Sequence, residues 1–124
     1  MGFANPQSVA FSVPGGETCG LSSKRPIDLS HLSRQTMGDR ALEREVLALF
    51  VQQAVAVSVQ IDRATPRERG FMAHGLRGSA AGVGAFLIAE TAAAIENDPT
   101  DMALVPRLID EIADVRQFIA AINR

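Results

Sequence analysis

The sequence predicts an all-α protein: an antiparallel four-helix bundle with a short leading helix. Three observations carry this. After Pro26 the apolar residues recur at helical spacing almost to the last residue. The segment boundaries carry helix punctuation: Asp28, Asp39 and Thr65 stand where caps are needed, and Gly38, Gly84 and Pro99 stand where helices stop. No Asn-Gly or Asp-Gly hairpin signal and no series of strands appears. The connections are short, which favours antiparallel neighbours.

Residues 1–26 read as a flexible tail and 27–124 as the helical domain. The tail holds Gly2, Pro6, Pro14, Gly15, Gly16, Gly20 and Pro26 without helical period. Residues 8–13 alternate, so they fit a strand paired on something as well as a disordered segment. Asp28 caps a short helix bearing Leu29 and Leu32, which stops near Met37-Gly38. Asp39 caps the next helix, expected to run to about residue 63. Its inner stripe reads Leu42, Val46, Leu49, Phe50, Gln53, Val57, Ile61, and a second apolar stripe reads Leu47, Val51, Val55, Val59. Either that helix is deeply buried or it offers one stripe to a partner.

Thr65-Pro66-Arg67-Glu68 is the clearest boundary: a hydroxyl at the N-cap, proline at N1 and glutamate at N3. The helix it opens has the inner stripe Ala73, Leu76, Ala80, Val83, with Gly82 and Gly84 as stop signals. A fourth helix spans about 85–97, rich in alanine. The last carries Leu108, Ile112, Val115, Ile119 and Ile122. Asp98 or Asp101 is its cap, and Pro106 demands a turn near 99–104 before the main helix begins.

Composition narrows function. With 124 residues, one domain is expected. A hydrophobic content of 47% without Trp or Tyr implies an aliphatic core with a few phenylalanines. A net charge of −2 argues against a general nucleic-acid binder. Apolar runs are broken well short of a membrane span, and no basic region leads into an apolar core at the N-terminus. Pro6 stands where a lipidation signal after Met1-Gly2 needs Ser or Thr. Cys19 is the single cysteine, so no internal disulfide forms, and a cytoplasmic location is expected. His31, His74 and Cys19 lack metal-ligand spacing, so no metal or other cofactor is expected. The glycine-rich run 78–84 has no preceding strand and no Gly-Lys-Ser/Thr, so it is no phosphate loop. Ser79 is turned away from His74 on a helix, which removes a hydrolytic triad. No machinery for ATP binding or hydrolysis is found, and the chain is not expected to be an enzyme in its own right.

His74 remains. Gly70, Gly75, Gly78, Gly82 and Gly84 crowd into its neighbourhood. Each glycine inside a helix costs about 0.5–1 kcal/mol relative to alanine, so bare backbone must serve something. His74 lies about 100° round the helix from Ala73, outside or at the edge of the core. Arg77 and Gly78, three and four residues on, share its face. A neutral imidazole is a nucleophile toward phosphorus. Arg77 would stabilise the charge of a phosphoryl group, and Gly78 would leave room for a donor.

The run His74-Gly75-Leu76-Arg77-Gly78-Ser79-Ala80, with Gly84 after it, resembles the signature of histidine-containing phosphotransfer (HPt) domains. That pattern is His-x-Leu-Lys-Gly-Ser-Ala with a further glycine some way on, and the likeness extends over about residues 27–123. The resemblance implies that His74 accepts phosphate, that Arg77 replaces the usual lysine, that Gly78 gives steric access and that Ser79 lies near the phosphate. It implies response-regulator receiver domains and a hybrid or conventional histidine kinase as partners, with Mg²⁺ on the receiver. A monomer is expected. The other reading is a helical adaptor that binds a receiver or kinase without carrying phosphate.

Overall fold

The computed structural model describes residues 25–123. The expected tail up to residue 24, the alternating segment 8–13 and Cys19 lie outside them. The described residues form five helices and no strand: α1 Leu29–Gln35, α2 Arg40–Gln60, α3 Pro66–Val83, α4 Phe86–Asn97 and α5 Leu104–Ile122. The fold class is as expected, one short leading helix followed by four longer ones.

The caps act as the sequence suggests. Asp28 accepts from the His31 amide and Asp39 from the Leu42 amide, each at 3.1 Å. Between them the chain reverses through Met37 and Gly38, both at positive φ. Thr65 and Glu68 complete a reciprocal capping box at the start of α3. Gly84 ends α3 in the left-handed conformation, φ 88°. A Cβ there would also lie 2.8 Å from the Asp28 carbonyl oxygen, and the Asp28 amide donates to the Gly84 carbonyl at 2.9 Å. The end of α3 and the start of α1 are thus seated on each other, and only glycine fits between them. Gly82, expected as a second stop, stays inside the helix.

Helix α2 corrects the expected stripe. Its buried residues are Leu47, Phe50, Ala54 and Val57, continued by Ile61 at the C-cap. Leu42 and Leu49 face solvent, at 40% and 65% exposure. Leu47, assigned to the second stripe, is core, whereas Val59 from that stripe is 64% exposed. Both faces are apolar, so periodicity alone could not choose the arc that α3 and α5 cover. The helix also stops at Gln60 rather than near 63. Beyond it the Arg69 guanidinium collects the carbonyls of Ile61 at 2.9 Å and Ala64 at 2.6 Å, with Asp62 at 3.5 Å.

The remaining elements follow pattern. Ala73, Leu76, Ala80 and Val83 of α3 are buried, as are Ile88, Ala92 and Ile95 of α4 and Leu108, Ile112, Val115 and Ile119 of α5. Ile122, at the fifth position of the α5 stripe, is 41% exposed because the helix ends there. Pro106 falls in the first turn of α5, where its missing amide is not needed. Neither aspartate caps that helix. Asp98 accepts from Thr100, and Asp101 accepts from the Ala103 amide. Helices pack in a closed ring, α2 on α3, α3 on α4, α4 on α5 and α5 back on α2, with α1 laid against α3.

One carboxylate interrupts the α4–α5 seam. Oε1 of Glu111 and Oγ1 of Thr91 are buried, and neither completes a hydrogen bond. Burial raises the Glu111 pKa, and the nearby Thr91 hydroxyl and Arg107 guanidinium offset only part of that. With the folded value above the unfolded one, this group's stabilisation is full below the usual carboxylate range. It is lost as pH rises through the raised value. Glu111→Gln should therefore raise the Tm at about pH 7, and the gain should shrink toward about pH 4. Thermal melts across that range check this; a difference that does not vary with pH would refute it.

Candidate functional site

Helix α3 turns His74 outward. The core residues Ala73 and Leu76 hold the helix by its inner face, which leaves the imidazole with 62% of its side chain exposed. Nδ1 of His74 lies 2.6 Å from Oε2 of Glu96, in the last turn of α4. The other oxygen of the same carboxylate, Oε1, stands 3.4 Å from Nε of Arg77. One glutamate thus spans the histidine and the arginine one turn along. An ionised carboxylate only accepts hydrogen bonds, so in a neutral ring the proton sits on Nδ1 and the lone pair on Nε2. Among the described residues no group engages Nε2.

The glycines sort into two kinds. Gly70 is demanded by packing, because a Cβ there would meet Pro99 at 3.3 Å. At Gly78 and Gly82 a Cβ would meet nothing within 4 Å, and at Gly75 only the Gln53 amide nitrogen at 3.8 Å. Phe71, Gly75, Gly78 and Gly82 are spaced by four, three and four residues, so they form one stripe beside His74. Phe71 heads that stripe at 82% exposure. A groove next to it is lined by Val59, Arg63, Arg67, Phe71 and Met72, between the end of α2 and the start of α3. Of the α2 stripe weighed as a docking surface, Val51 and Val55 are half-buried and Val59 is open.

Each sequence candidate has a place. Arg77 shares the His74 face and is tied to Glu96. Gly78 is open. Ser79 is half-buried, and five helical steps turn it about 140° from His74. His31 sits at the start of α1, edge-on to the Phe86 ring at 5.1 Å, with Nε2 buried. Sequence reasoning missed Glu96, 22 residues from His74. Its one signal was that Glu90 and Glu96 are the only charged residues of a mostly apolar α4. Arg69 was missed as well. It is 5% exposed, and besides the carbonyls that follow α2 it donates to the Pro99 carbonyl at 2.8 Å. That bond ties the turn after α4 to α3, on which His74 stands.

Among the described residues no group of three or more His, Cys, Asp or Glu side chains is placed to hold a metal ion. Among the same residues no helix is long and apolar enough to cross a membrane. Fold and site together define an all-α bundle with a histidine–carboxylate–guanidinium cluster on its surface. No protein-family model, no curated protein and no solved structure matches the chain.

Proposed function

We propose that the protein is a phosphorelay carrier, receiving a phosphoryl group on His74 and passing it to or from the aspartate of a receiver domain. One observation carries this reading. The exposed His74 adjoins a helix face on which Gly78 and Gly82 meet no packing neighbour among the described residues. Gly78 relieves no clash among the described residues, so its stability cost is best explained by something that approaches this face.

The chemistry is an in-line displacement. The Nε2 lone pair attacks phosphorus, the bond to the aspartyl oxygen breaks, and its electron pair returns to the carboxylate. The Nδ1 proton stays where it is. Arg77 faces Glu96 through Nε, which leaves its terminal N–H groups to meet the phosphoryl oxygens. A Mg²⁺ ion held by the receiver would neutralise the charge on the donor side. Phe71, exposed one turn before His74, and Val59, exposed in the groove next to Phe71, suit the rim of a docked partner.

Two substitutions at one position separate access from stability. Gly78→Ala should raise stability by about 0.5–1 kcal/mol, because helix propensity improves and nothing clashes. Gly78→Leu should keep the fold and stop transfer by filling the approach to the ring. Denaturant melts and transfer assays on both variants check this. Unimpaired transfer by Gly78→Leu would place the docking face elsewhere.

The direct experiment offers the chain a panel of ³²P-labelled receiver domains. Label that moves onto the chain, is lost in acid and survives base supports a phosphohistidine carrier. Binding without transfer from any receiver would favour the adaptor reading.

A further inference from the structure

We infer that the outer face of α2 is a self-association surface, on which two copies of the chain pair antiparallel about a two-fold axis. The inference does not rest on the phosphocarrier reading.

Helix α2 is short of charge on the side it turns to water. No charged residue stands between Glu45 and Asp62, whereas the outer side of a bundle helix normally carries charged and polar residues. Leu47, Ala54 and Ile61, at seven-residue spacing, are buried. On the opposite side Leu42, Leu49 and Ala56 recur at the same spacing, interleaved with Glu45, Gln52 and Val59, and all six are exposed. Arg63, exposed as well, continues the row just past the helix end, where its amide donates to the Gln60 carbonyl at 3.2 Å. Steps of three and four in alternation make the seam on which a second helix packs. Charge is missing from the centre of the row and present at its ends, as in an interface core with its rim.

The two ends choose the occupant. Glu45 stands at one and Arg63 at the other, and neither has an ion-pair partner among the described residues. A two-fold axis crossing α2 at the level of Ala54 sets Glu45 against Arg63 of the second copy, twice in each pair. The same register sets Leu49 against Val59 of the second copy and Gln52 against Ala56. Parallel pairing would set Glu45 against Glu45 and Arg63 against Arg63, which like-charge repulsion disfavours. A row whose halves complement each other under a two-fold fits a second copy of the same chain.

The size of the row sets the strength. From residue 45 to 63 it is about 27 Å long and about 10–12 Å wide. That gives each copy a contact of about 300 Å², against about 800 Å² in a stable interface. The pair is therefore transient, and the expected monomer is the dilute state of the chain. Val59 also lines the groove beside Phe71, so a second copy and a partner seated in that groove compete for it.

Analytical ultracentrifugation of the full chain from about 5 to about 500 μM tests this. The average mass should rise from 13.2 kDa toward twice that value across the range. Glu45→Arg and Arg63→Glu should each weaken association roughly tenfold, because each turns two attractions into two repulsions. The double variant should recover wild-type association, and an equimolar mixture of the two single variants should form mixed pairs. Leu49→Asp, at a position the core does not use, should stay monomeric, with circular dichroism reporting that each variant is folded. A wild-type chain that stays at 13.2 kDa throughout would overturn the inference and leave this face to a different partner. Association that the charge changes leave untouched would overturn it too, as would a double variant no better than the single ones. Failure of phosphoryl transfer has no bearing on any of these outcomes.

Discussion

Replacing His74 with glutamine will abolish phosphoryl labelling and leave the fold in place. The imidazole is 62% exposed and its partner carboxylate 30% exposed. An exposed pair of this kind contributes about 0–1 kcal/mol, so the Tm should move by no more than about 4–8 °C. Glutamine is close in size and its amide still donates to Glu96, which limits even that. The chemical effect is total, because an amide nitrogen has no lone pair free to attack phosphorus. The chain has one other histidine, His31. Its Nε2 is buried against the α1–α4 contact with Phe86, so it cannot take over the acceptor role. Labelled receiver incubated with wild type and the variant, alongside circular dichroism of both, reads the two halves of the expectation. Label persisting on a folded His74→Gln protein would mean that the acceptor lies elsewhere.

Arg69→Met should be the most destabilising single change outside the apolar core. Arg69 is a buried cation with no carboxylate partner among the described residues. It is satisfied by the carbonyls of Ile61, Ala64 and Pro99 at 2.6–2.9 Å. The first two lie just past the end of α2, where the helix dipole is negative. Methionine fills similar volume but leaves these carbonyls without donors. At about 1–3 kcal/mol for each orphaned buried group, a loss of about 3–5 kcal/mol is expected. Small domains have only about 5–15 kcal/mol in all. The Tm should fall by roughly 15–30 °C. Lysine at the same place keeps the charge but lacks the planar fork, so it should recover only a part. On the proposed carrier reading, this clamp also bears on the acceptor site. The Pro99 carbonyl anchors the turn that follows Glu96, so a loosened turn lets that carboxylate drift from His74. Denaturant unfolding of the methionine and lysine variants checks the expectation; a loss below about 1 kcal/mol in Arg69→Met would contradict it.

Much of the fold was legible from local signals. Capping is a contact between near neighbours in sequence, so Asp28, Asp39 and the Thr65–Glu68 box were readable and all three form. The α3 and α5 stripes were readable because each helix is apolar on one side and polar on the other. Helix α2 was not, since it is apolar on two sides. Its buried arc depends on where α3 and α5 happen to lie, and Leu47 and Leu49 exchanged roles accordingly. The cap of α5 was misread for a different reason. Asp98 and Asp101 are both good capping residues, but each is consumed within the turn it sits in.

The same division runs through the site. Sequence alone determined that His74 stands on a helix face, with Arg77 one turn on and bare backbone at Gly78. Intrahelical spacing is set by the 3.6-residue period and needs no other part of the chain. Only the tertiary structure decided what holds the histidine. Glu96 reaches it because α4 returns along α3 through the two-residue connection Gly84-Ala85, in a register set by Ile88, Ala92 and Ile95 against the α3 core face. Packing register is a property of two helices at once. No pattern within either helix states it, and so the contact of Nδ1 with Glu96 became visible only in the folded chain.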